Sequence, residues 1–337
     1  MSSSIIFPAQ PEQILKGLGK LWTSLGEEEK HQGKPTVLRA CAMTLIVATD
    51  EPDAGFEASQ TISELMHEHP ARGIVLAVSA EAENDLQARV LAQCWKPFGK
   101  AQQICCEQIE IIAKPGSWQN AAPTLAGLTA ADLPVIFWCR HKGAIKKDAV
   151  TADQAGLEAI ARLATKVIID TSGMPPPDAI ALLTKWRGEG KLVADLEWTR
   201  LTPWREPLAH IFDDSTRENK FASFDSLEIE HTEEKPPIQA LYMAGWLSAP
   251  CKAKVTFRRA TGYGPGIQRV SFRSERESIE FERTSADCVT LWSTVGRERK
   301  YSFGQPNVTS LMTEELAVAG YDSAFNTALD RARELLT

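Results

Sequence analysis

Five apolar runs punctuate the first two hundred residues: 43–48 (MTLIVA), 73–78 (GIVLAV), 109–113 (IEIIA), 134–139 (PVIFWC) and 167–171 (VIIDT). They lack the polar alternation of a half-wet strand, which predicts strands covered on both faces. Between them, residues 54–68, 84–95 and 152–165 are compatible with helices, the last with Leu157, Ile160 and Leu163 at helical spacing. Strands alternating with helices predict a layered, largely parallel α/β sheet of the Rossmann-like kind. Residues 37–48 together with 103–113 leave room for an antiparallel edge.

Beyond position 237 the period changes. Residues 254–258, 268–273, 278–283 and 287–292 alternate apolar with polar positions, as strands with one solvated face do. GYGPG at 262–266 supplies a turn, residues 238–247 read as a helix, and 310–336 as a closing helix broken near Gly320. The acidic stretch 221–237 ends in a double proline and reads as the exit from the first domain. The expected organisation is an α/β domain over 1–235 and a smaller antiparallel α+β domain over 236–337.

Composition narrows the function. A chain of 337 residues exceeds the usual size of one core. A formal charge of −7 disfavours a nucleic-acid binder. No apolar run reaches the length of a membrane span, and the N-terminus MSSSIIFPAQPEQ lacks a secretory pattern, so a cytoplasmic protein is expected. Seven cysteines, an odd number without regular spacing or a CxxC pair, suit free thiols in a reducing compartment. The basic residues between Lys252 and Lys300 alternate with glutamates, as on a solvated sheet face or on a docking surface for an anionic partner or sugar phosphate.

No catalytic constellation is present. After the first strand the sequence runs TDEPDAG, with one glycine and three acids where a dinucleotide fold needs a glycine-rich turn. No GxGxxG, GxxxxGK[ST], GxSxG or HExxH occurs, and His67 and His69 stand two apart just before Pro70. No metal and no cofactor is therefore expected. Arg140, His141 and Lys142 follow the apolar run PVIFWC, at the carboxyl end of a candidate parallel strand where open sheets bind ligands. They are a candidate anion site, or else a solvated loop.

The densest chemistry lies in DLEWTRLTPWR, residues 195–205. Thr202 and Pro203 form a helix start, and Leu208, Ile211 and Phe212 continue an apolar stripe. Asp195, Glu197, Arg200 and Arg205 stand among Trp198 and Trp204, a mixture costly to bury unless the ions pair and the indoles find partners. Paired charges stacked on tryptophan would pin strand to helix, a structural joint. Tryptophan and arginine are also the residues most enriched at interface hot spots, so Asp195, Trp198, Arg200, Trp204 and Arg205 are equally candidate partner-binding residues. The segment holds no histidine, lysine or cysteine to act near neutral pH.

This segment resembles the OpcA family, as do RACAMTLIVA (39–48), HPARGIVLAV (69–78), CCEQIEIIA (105–113), LPVIFWCRHKG (133–143) and YMAGWL (242–247). Members are described as glucose-6-phosphate dehydrogenase assembly proteins. The resemblance spans roughly residues 20–247 and implies a non-enzymatic assembly factor and allosteric activator that binds that dehydrogenase in the oxidative pentose phosphate pathway. It supplies no catalytic residues. Pro207 departs from the family pattern and removes a helical hydrogen bond, which predicts a late start or a bend. The competing expectation is a sensor or enzyme that binds a sugar phosphate or nucleotide at the carboxyl edge of the sheet.

Overall fold

In the computed structural model the described residues are 7–31, 37–49, 54–79, 82, 84–97, 102–140, 152–212, 224–250, 253–294 and 297–336. The chain forms two compact units, Met1–Asp170 with Trp186–Val193, and Thr171–Lys185 with Ala194–Thr337.

The first unit carries β1 (Phe7–Pro8), α1 (Pro11–His31), β2 (Leu38–Arg39), β3 (Met43–Thr49), α2 (Ala54–Leu65), β4 (Ala71–Val78), β5 (Leu86–Trp95) and β6 (Ile104–Ala113). Then come α3 (Ala121–Leu128), β7 (Val135–Cys139), α4 (Ala152–Leu163) and β8 (Lys166–Ile169). Helix α5 (Pro176–Gly188) and strand β9 (Leu192–Asp195) each straddle the unit boundary. The sheet order is β1-β5-β6-β4-β3-β7-β8-β9, with β2 also on β6. Strands β6, β4, β3, β7 and β8 pair in parallel. Every residue of β3 and β7 is buried, as their unbroken apolar sequences require.

Two expectations need correction here. Residues 84–95 were expected to be helical, and their Leu, Gln, Ala and Arg favour a helix locally. They form β5 instead, antiparallel to β6 over ten residues. Ladder pairing overrides the local propensity. This is also the antiparallel edge, whereas residues 37–48 pair only in parallel. The same register sets Cys94 opposite Cys105, Cα atoms 4.1 Å apart, and the two are joined as a disulfide. Spacing along the chain could not reveal a pair made by strand register, and the free-thiol expectation fails for these two. Cys41, Cys106, Cys139 and Cys288 form no disulfide, and burial pushes the Cys106 thiol up to about 11.

The second unit holds α6 (Leu196–Thr199), α7 (Thr202–Phe212), β10 (Ser226–His231), α8 (Ile238–Ser248), β11 (Lys254–Arg259), β12 (Ile267–Arg273), β13 (Ser278–Ser285), β14 (Cys288–Ser293) and β15 (Arg299–Ser302). Helices α9 (Val308–Ala317) and α10 (Ser323–Leu335) close it. The sheet order is β11-β10-β12-β13-β14-β15, antiparallel except for the parallel β10–β11 pair. The face away from the apolar positions carries the alternating charges: Glu230, itself buried, pairs with Arg258 and Arg269, and Glu280 with Arg273 at 3.2 Å. The domain boundary expected at 235/236 is thus displaced. Strand β10, read as part of a linker, is the second strand of this sheet, and residues 194–212 already belong to this unit. Helix α7 starts at Thr202 and runs through Pro207 rather than starting late.

No helix among the described residues is long and apolar enough to cross a membrane.

In the first unit α2 lies close on β4 at Gly73, where an added Cβ would come 2.6 Å from Ile62 Cγ2. Gly73→Ala is expected to lower stability by about 1–3 kcal/mol through overpacking, read as a fall in denaturant midpoint. An unchanged midpoint would show that α2 is free to shift.

Candidate functional site

The Trp/Arg segment folds by local rules. Asp195 ends β9 in an extended conformation and caps α6, its Oδ1 accepting from the Glu197 backbone N–H at 3.0 Å. The same carboxylate accepts from the Thr171 backbone N–H (3.2 Å), the Thr171 hydroxyl (2.5 Å) and the Tyr242 hydroxyl (2.8 Å). Four donors converge on one side chain with no exposure at all. Burial nevertheless pushes the Asp195 carboxyl up to about 6, with the bonds from Thr171, Glu197 and Tyr242 opposing that rise. The buried Tyr242 phenol is raised well above its ordinary value by desolvation and by the Asp195 charge.

The remaining side chains turn inward within the same unit. Trp198 is 2% exposed and donates from Nε1 to Asp322 Oδ2 at 3.1 Å. Its ring meets Tyr242, Trp246 and Phe325 at centroid distances of 6.3, 6.3 and 5.9 Å. The Arg205 guanidinium lies 4.0 Å from the Trp198 ring centroid and donates to the Thr202 hydroxyl at 2.7 Å. Thr199 donates to Glu315 at 3.0 Å, Thr202 to Glu314 at 2.5 Å, and Arg200 to Glu197 at 2.5 Å. Trp204 packs edge-on against Phe281 and Phe303, each 5.4 Å away. Burial lowers the Arg205 pKa, while Glu314, Asp322, Glu315 and Glu206 hold it up.

Asp195, Trp198 and Arg205 thus come together around Tyr242, α9 and α10, whereas Trp204 packs on the sheet of the unit and Arg200 pairs with Glu197, these last three lining a cavity. Chain spacing hid their partners: Thr171 and Tyr242 lie 24 and 47 residues from Asp195, and Asp322 lies 124 from Trp198. The other candidate set is not assembled among the described residues. Arg140 pairs with Glu57 at 3.2 Å and stacks over Trp138, while His141 and Lys142 lie outside the described residues. His67 stacks on Trp95 at 4.9 Å. No group of three or more His, Cys, Asp or Glu among the described residues is placed to hold a metal.

Residues 62–185 match a family described as the glucose-6-phosphate dehydrogenase subunit N-terminal domain, and residues 191–329 its C-terminal domain. A Synechocystis protein described as an OxPP cycle protein OpcA is 26% identical over 268 residues, covering 76% of this chain and 53% of its own length. Its counterpart from Synechococcus elongatus is 26% identical over 298 residues, covering 81% of this chain and 65% of its own. The chain thus spans between about half and two thirds of these relatives. Among solved structures, an NAD binding oxidoreductase from Klebsiella pneumoniae superposes with a TM-score of 0.51 at 10% identity, covering 88% of this chain and 95% of that one. An oxidoreductase from Sinorhizobium meliloti gives 0.50 at 8%, over 87% and 95%. These two share the fold.

The fold alone would suggest a dinucleotide, and the residues do not fit one. The sequence leading to α2 reads TDEPDAG, Glu57 stands in the first turn of that helix, and a Cβ added at Gly55 would come 3.0 Å from the Ala77 Cβ. Carboxylates at a helix N-terminus repel the pyrophosphate that this position holds in dinucleotide folds.

Three variants test the joint. With a folded value of about 6 against an ordinary 3.8, Asp195 favours folding at low pH and loses that contribution as pH rises through 4 to 6. Above pH 6 its burial costs about 3 kcal/mol. Asp195→Asn should therefore gain stability relative to the unchanged protein between pH 4 and pH 8 in denaturant titrations, and a pH-independent difference would contradict the assignment. Trp204→Ala should cost about 3–5 kcal/mol by removing a fully packed indole. Arg200→Ala should also lower the melting temperature, and loss of partner binding at unchanged melting in either variant would mark a docking face instead.

Proposed function

We propose that this chain, which belongs to the OpcA family, is an assembly factor and allosteric activator of glucose-6-phosphate dehydrogenase, working in the cytoplasm without turnover of its own. The match of both compact units to domains described as parts of a glucose-6-phosphate dehydrogenase subunit carries the reading. The relatives described as OxPP cycle proteins support the pathway. The non-enzymatic part rests on chemistry. The ionisable groups of the signature segment are engaged within the second unit: Asp195 with Thr171 and Tyr242, Arg200 with Glu197, Arg205 with Trp198 and Thr202. A general acid or base needs a free proton-transfer edge facing substrate. The sugar-phosphate reading at Arg140 is weaker, because that guanidinium is already paired with Glu57 and stacked on Trp138.

With both tryptophans of the segment buried, docking falls to other surfaces of the chain. Mixing the purified chain with the dehydrogenase of the same organism is the direct test. Co-elution as a larger species together with a raised kcat or lowered KM for glucose 6-phosphate is expected, and no turnover by the chain alone. Separate elution with unchanged kinetics would end the proposal.

A further inference from the structure

Strand β13 alternates strictly, with Ile279 and Phe281 facing inward and Glu280 and Glu282 outward. The next inward position is Arg283. It is 4% exposed, and among the described residues no carboxylate lies within ion-pairing range of it. Its Nη2 donates to the Ala286 carbonyl at 3.0 Å and its guanidinium lies 5.0 Å from the Phe303 ring centroid, but Nε has no hydrogen-bond partner. Burial lowers its pKa with no nearby acid to oppose the shift. A buried, unmatched guanidinium is expensive, so something outside the chain is expected to compensate it.

Arg283 lines a cavity of about 730 Å³ that lies wholly within the second unit. The turn beside it is well ordered by hydrogen bonds. The turn at 262–266 is held by Gln268, which accepts from Tyr263 N and donates to the Gly264 and Gly266 carbonyls. Gly264 adopts φ +129°, and a Cβ there would stand 3.3 Å from Arg283 Nη1. The N-terminus of α8 also opens on the cavity through Pro237, Ile238 and Gln239, and it has no side-chain cap. Uncapped N–H groups and the positive end of a helix favour an anion. Glu233 supplies the complementary edge. Its Oε1 accepts from Gly266 N at 2.7 Å, while Oε2 is buried without a hydrogen-bond partner, His231 Nδ1 lying 3.8 Å from it.

We propose that this cavity binds a small hydroxylated organic oxyanion, its phosphate or carboxylate on Arg283 and the α8 N-terminus, and a hydroxyl donating to Glu233 Oε2. A planar guanidinium matches both oxyanions, and the volume is ample for a small metabolite. The inference concerns the chain by itself and stands whether or not the dehydrogenase is its partner.

The test uses the full chain with glycerol 3-phosphate, glycerate and inorganic phosphate, by thermal melting and calorimetry. Either hydroxylated ligand should raise melting more than inorganic phosphate does, and the stronger of the two identifies the oxyanion. Arg283→Met should weaken binding by roughly tenfold or more. Without ligand it should melt no lower than the unchanged protein, whereas a merely structural arginine would lower it. Gln239→Glu, a polar exchange at the cavity wall, should weaken binding as well and decides the matter if Arg283→Met does not fold. No response from any of the three compounds, or binding that survives both substitutions, would overturn the site.

Discussion

The second unit is organised around one buried carboxylate. Asp195 terminates β9, caps α6 and accepts from Thr171 and Tyr242, so it ties a strand end, a loop and helix α8 to a single point. Such a group contributes geometry more than stability, because desolvation offsets much of what its hydrogen bonds return. The cost falls on every alternative packing. Moving α6 would take away the Glu197 N–H and moving α8 the Tyr242 hydroxyl, each leaving the buried carboxylate short of a donor. From that point the chain lays Trp198 against α10 and Trp204 against the inner face of the sheet.

Much of the fold was legible in the sequence because its signals were local. The unbroken apolar runs became the parallel strands, and the strict alternation after residue 250 became the second sheet. The errors came where the deciding partner lay far away. Residues 84–95 favour a helix by themselves and become β5 only through the ladder with β6. Residues 226–231 look like an acidic linker, yet Glu230 is balanced by Arg258 and Arg269 from neighbouring strands. The same register made the Cys94–Cys105 disulfide invisible to spacing.

The site was half legible. Composition marked 195–205 as unusual and posed joint against docking face, but could not name Tyr242, Glu315 or Asp322 as the partners that favour the joint. Arg283 carried a signal of another kind, a charged residue where the alternation of β13 demands an apolar one. That departure from pattern is what a functional position imposes on an otherwise consistent strand. Glu197, Arg200 and Trp204 of the segment that identifies the family also line the cavity beside Arg283, so the joint and the proposed ligand site share a wall.

Residues 195–205 form a largely buried joint of the second unit, and on our proposal the dehydrogenase docks elsewhere. Amide hydrogen exchange on the free chain and on its mixture with the dehydrogenase tests it most directly. The joint predicts that amides of α6 and α7 are already slow in the free chain and change little on mixing, with new protection confined to other surfaces. Fast exchange there in the free chain, followed by strong protection on binding, would contradict it.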